Sequence, residues 1–96
     1  MDETLPRPER MMRVSGSSSP QSVAGSIRAV IFDSNQMPVI RAIGAGAVAQ
    51  TCKGIAIARG YLAVKGVDLG CNIGFTNVLN DEGEEISAQT FHLFFR

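Results

Sequence analysis

Val67-Asp68-Leu69-Gly70-Cys71-Asn72-Ile73-Gly74-Phe75-Thr76 alternates apolar residues with polar or small ones for ten positions. A period of two puts Val67, Leu69, Cys71, Ile73 and Phe75 on one face of a β-strand. Asn80, Asp81, Glu82 and Gly83 follow with turn chemistry, and residues 86–95 return as a second strand, so the C-terminal third is a hairpin. Upstream lies a helix over residues 46–59, with Val48, Cys52, Ile55 and Ala56 on one face and Gly60 placed to stop it. Gln50, Lys53 and Ile57 fall on its other side, where Ile57 suggests a subunit contact. Residues 38–43 are compact and rich in β-branched side chains, which predicts a strand. Before them Ser19 caps and Pro20 opens a helix whose Val23, Ile27, Val30 and Ile31 share a face. Met12 and Val14 alternate with Arg13 and Ser15 in a first short strand. The predicted order is β-α-β-α-β-β, an α+β chain, with a loose tail over residues 1–10 and a single domain over residues 11–96.

A chain of 96 residues supports one domain, and its apolar fraction of 45% is that of a globular protein. No apolar run approaches the roughly 18 residues of a membrane span, and the N-terminus lacks the features of a secretory signal. The expected location is cytoplasmic, including association with the nucleoid. Cys52 and Cys71 have no CxxC spacing and His92 is the only histidine. Neither metal nor other cofactor is expected, and both thiols read as small core residues.

The net charge of zero conceals an asymmetry. Between Arg10 and Lys65, seven basic residues (Arg10, Arg13, Arg28, Arg41, Lys53, Arg59, Lys65) stand against Asp33 alone. From Gly66 onward only Arg96 opposes Asp68, Asp81, Glu82, Glu84 and Glu85. Such a distribution orients a molecule on a charged partner even when the total cancels.

Gly44-Ala45-Gly46-Ala47-Val48-Ala49 follows a strand, opens a helix and matches the G-x-G-x-x-G/A dinucleotide fingerprint. Asp68 begins a strand rather than closing one, and the second half of a doubly wound sheet is missing, so the dinucleotide reading fails. Two readings of the glycines remain: a tight strand-to-helix turn, or a helix start whose free N–H groups receive an anion. Catalytic constellations are absent from the reading. His92 lies in a half-buried strand, the carboxylates of residues 81–85 crowd a hairpin tip, and Ser17, Ser18 and Ser19 have no partner base, so an enzyme is not expected.

Several runs together resemble the stage V sporulation protein S family: Val14-Ser15, Ser18-Ser19-Pro20, Ser22-Val23-Ala24-Gly25, Ala42-Ile43-Gly44-Ala45-Gly46-Ala47 with Gln50 and Lys53, Ile55-Ala56-Ile57-Ala58-Arg59-Gly60-Tyr61, and Gly66-Val67-Asp68-Leu69. The resemblance covers residues 12–96. It implies an Alba-like two-layer fold, with two helices on a four-stranded mixed sheet, and a homodimer that binds DNA or RNA in sporulation or a related developmental programme. Alba proteins use the loop before the second helix and the last hairpin. Here Ala49 stands where the family has asparagine, Asn72-Ile73-Gly74 replaces a proline-containing step, and Ile86 and Thr90 occupy a strand expected to be basic. The acidic tip opposes phosphate. The phosphate contact is therefore expected at the end away from the hairpin tip, along Ser17, Ser18, Ser19, Arg41, Gly44, Ala45, Gly46 and Lys53. The alternative is a regulatory protein-interaction module of the same fold that binds no nucleic acid.

Overall fold

The computed structural model describes residues 7–96 as six elements: β1 (Glu9–Val14), α1 (Pro20–Phe32), β2 (Met37–Ala42), α2 (Ala45–Ala63), β3 (Leu69–Leu79) and β4 (Glu85–Phe95). The expected α+β order holds. The strands form one mixed sheet in the order β1-β2-β4-β3, with β1 and β2 parallel and the other neighbours antiparallel. Residues 1–6 of the expected tail lie outside the described residues. β1 already begins at Glu9, because the Met37 N–H donates to the Pro8 carbonyl at 2.9 Å and pulls this stretch into the sheet.

Both helices cover one face of the sheet. Val23, Ala24, Ile27 and Ile31 of α1 and Ala47, Ile55, Ala58 and Leu62 of α2 bury against Val14, Ile40, Ala42, Leu69, Phe91 and Leu93. α1 begins as its sequence dictates: the Ser22 N–H donates to Ser19 Oγ at 3.1 Å and Pro20 opens the first turn. Its predicted apolar face is the buried one.

α2 departs from expectation. Its buried face is Ala47, Thr51, Gly54, Ile55, Ala58 and Leu62, so the predicted face of Val48, Cys52, Ile55 and Ala56 is rotated away from it. Cys52 and Ala56 are exposed, and Cys52 is not a core residue. Small residues take the inner side because α1 approaches so closely: a Cβ on Gly54 would lie 2.4 Å from Val23 Cγ1. Thr51 is fully buried at no polar cost, since its hydroxyl donates to the Ala47 carbonyl at 2.8 Å. Ile57 is half-buried and packs against the core. Gly60 does not end the helix. Intrahelical bonding continues to Ala63, and the reversal falls at Gly66, whose φ of 75° suits glycine.

The hairpin outreaches the sheet. β3 and β4 pair over eleven positions, whereas β4 pairs with β2 only from Gln89 to His92. Ile73 lies opposite Phe91 and shares its helix-side face, yet Ile73 is 66% exposed and Phe75 73%. The helices stop short of them, so this part of the alternating strand buries nothing. The turn at the tip is closed by Asn80, whose Oδ1 accepts from the Glu82 and Glu84 N–H groups at 3.0 and 2.8 Å.

Candidate nucleic-acid interface

Each helix returns the chain to the bottom of the sheet, so β1, β2 and β3 all run upward and their outgoing loops share one end. The loop after β1 and the glycine turn after β2 meet there. A Cβ on Gly46 would stand 3.4 Å from Gly16 Cα, so the two backbones run close beside each other. Gln50 Nε2 donates to the Ser18 carbonyl at 2.7 Å and fastens the first loop to α2. Gly44 takes φ 88° as the N-cap and supplies no side-chain bond; intrahelical bonding starts with Val48 N–H to Gly44 O at 3.1 Å. The N–H groups of Ala45 and Gly46 thus open on an exposed surface at the positive end of the α2 dipole.

The serines build their own turn. Ser15 N–H donates to Ser18 Oγ at 3.1 Å, Ser15 Oγ lies 3.0 Å from Ser17 Oγ and 3.1 Å from Ser18 Oγ, and Ser19 caps α1. Ser15 and Ser17 flank Gly16, the residue that meets Gly46. Of the expected contact residues, Ser17, Ser18, Ser19, Gly44, Ala45 and Gly46 therefore come together. Lys53 is exposed on α2, eight residues and roughly 12 Å along the axis from its start. Arg41 projects from the open face of the sheet, away from the helices, beside Arg13. Sequence reasoning did not select Arg13; its signal, alternation with Met12 and Val14, acquires meaning only once the register sets Arg13 against Arg41.

One expectation fails. Because β3 runs upward, the acidic turn of Asp81, Glu82, Glu84 and Glu85 projects from the same end as the glycine turn and not from the opposite one. Any polyanion at the α2 start lies in the field of those carboxylates.

The two thiols differ in setting. Burial, with a smaller contribution from neighbouring Cys52, pushes the Cys71 thiol up, so it resists ionisation and is a poor nucleophile. Among the described residues no helix is long and apolar enough to cross a membrane.

The model of the family described as Stage V sporulation protein S matches residues 10–96. The chain belongs to this family. The match spans every element from Arg10 of β1 to the end of β4, so the glycine turn, the serine loop and the acidic hairpin all lie within the stage V sporulation protein S domain.

Proposed function

We propose that the protein is a non-catalytic, Alba-like nucleic-acid-binding protein, a cytoplasmic and nucleoid-associated homodimer acting in sporulation or related developmental regulation. The observation that carries this reading is the meeting of two backbones at Gly16 and Gly46 beside the open N-terminus of α2. A glycine-lined surface lets a phosphate approach main-chain amides closely. Contacts of this kind grip the backbone of DNA or RNA without reading sequence. Few cations take part, so affinity is weak and falls with salt.

Anisotropy titrations of labelled duplex DNA, single-stranded DNA and single-stranded RNA test this. Gly46→Asp, which sets a carboxylate among the amides, is expected to weaken binding at low salt about tenfold or more, and Lys53→Glu to weaken it less. Failure of all three nucleic acids to bind at about 100 μM protein, where non-specific binding ordinarily registers, overturns the reading.

The homodimer rests on Ile73 and Phe75, which sit uncovered on the helix side of the arm. Two-fold pairing of this surface would bury them. Sedimentation equilibrium is expected to give a dimer for the wild type and a monomer for Phe75→Glu, and a monomeric wild type refutes the pairing. The same apolar surface, beside an acidic turn, supports the second reading of a protein-interaction module.

A further inference from the structure

The distal arm does more than extend the sheet. It carries Val78 and Leu79 to a recess of about 390 Å³ that is also lined by Arg13, Arg41, Ile43 and the Ser15–Gly16 backbone. This size lies within the roughly 300–1,000 Å³ of small-molecule sites. Arg13 and Arg41 are register partners on adjacent parallel strands, so their side chains leave the sheet on the same face as neighbours. Like charges so placed repel. Among the described residues neither guanidinium has a carboxylate within 4.0 Å or a hydrogen-bond partner. Arg41 Nε is buried and unpaired, so the cost of holding this charge is not met by the protein, and the rest of the guanidinium lines the recess.

We propose that this recess binds a phosphate monoester carried by an apolar or planar body: the terminal nucleotide of a nucleic acid, or a free nucleoside monophosphate. Two observations select this chemistry. A monoester bears about −1.5 to −2 charge near neutral pH, which matches two guanidinium forks, whereas an internal phosphodiester bears a single charge. Ile43 and Leu79 are large exposed apolar residues on the recess wall, placed to receive a base or sugar beside the phosphate. The proposal rests on the nucleic-acid reading for its polymeric ligand; the recess adjoins the α2 start through Gly16, but its two cations, Arg13 and Arg41, are distinct from the amides of α2.

The test compares 3′-fluorescein single strands of about ten nucleotides that carry either a 5′-phosphate or a 5′-hydroxyl, with adenosine monophosphate and inorganic phosphate as competitors. The wild type is expected to bind the phosphorylated strand about tenfold more tightly or better. Arg13→Gln and Arg41→Gln, checked for wild-type circular dichroism, are expected to erase that preference, so that the two strands bind with one affinity. Arg41→Lys, which keeps the charge and loses the fork, is expected to restore only part of it. Adenosine monophosphate should compete at concentrations where inorganic phosphate does not. Equal binding of the two strands overturns the recess and leaves the α2 reading standing. Binding of adenosine monophosphate without either strand supports the recess and removes the nucleic-acid function. No binding of any probe removes both, and equal competition by inorganic phosphate overturns the assignment to a nucleotide.

Discussion

Gly54→Val is expected to destabilise the fold by about 3 kcal/mol or more, or to prevent folding, through overpacking in the α1–α2 contact. Even the first added atom would meet Val23 Cγ1 at 2.4 Å, Val23 Cβ at 2.6 Å and the Pro20 carbonyl at 3.3 Å. Val23 is buried and branched, and Pro20 is backbone at the start of α1, so neither neighbour yields easily. Relief requires the helices to separate, which opens the layer beneath Ile27 and Leu62. Gly60→Ala is the matched control. It lies in the same helix with nothing within 4 Å of its added methyl, and should stabilise by roughly 0.5–1 kcal/mol through helix propensity. For a domain of this size each kcal/mol moves the melting temperature by about 4–8 °C, so thermal denaturation separates the pair readily. A Gly54→Val protein that melts with the wild type would mean that the close approach is not required.

Neutralising the hairpin tip is the second large expectation. A protein carrying Asp81→Asn, Glu82→Gln, Glu84→Gln and Glu85→Gln should bind single-stranded nucleic acid about fivefold more tightly at low salt, with the gain disappearing at high salt. The four carboxylates share an end with the α2 amides. A unit charge roughly 10 Å from a phosphate contributes about 0.4 kcal/mol of repulsion in water before screening, so four amount to about 1 kcal/mol once the salt atmosphere is counted. All four are exposed, which leaves stability nearly untouched. Unchanged or weaker affinity in anisotropy titrations would place the polyanion elsewhere.

The sequence made α1 readable because its buried positions are large and aliphatic, and a 3.6-residue period of valine and isoleucine has one interpretation. α2 resisted for the opposite reason. Its inner face is built from Ala47, Thr51, Gly54 and Ala58, so volume rather than hydrophobicity marks the core side, and Val48 drew the reading outward. Gly60 misled likewise, since a glycine within a helix looks the same in sequence as one that ends it. In the site, the serine loop and glycine turn were legible as loops, but their contact depends on a backbone approach that no single residue announces. The acidic tip was placed at the wrong end, although counting reversals locates it: two helical returns leave β3 pointing the same way as β2. Arg13 was invisible without the register.

The four-residue seam between β2 and β4 divides the molecule into a part that must pack and a part that need not. Beyond it the arm is held by its own ladder and by a turn that Asn80 closes internally. Ala88 in the arm is buried, but the turn residues from Asp81 to Glu85 are all exposed and free to drift under selection with little folding penalty. An acidic tip and a basic one are then equally accessible on the same scaffold, and the arm is where members of such a lineage would diverge in what they tolerate as partners while their cores stay interchangeable.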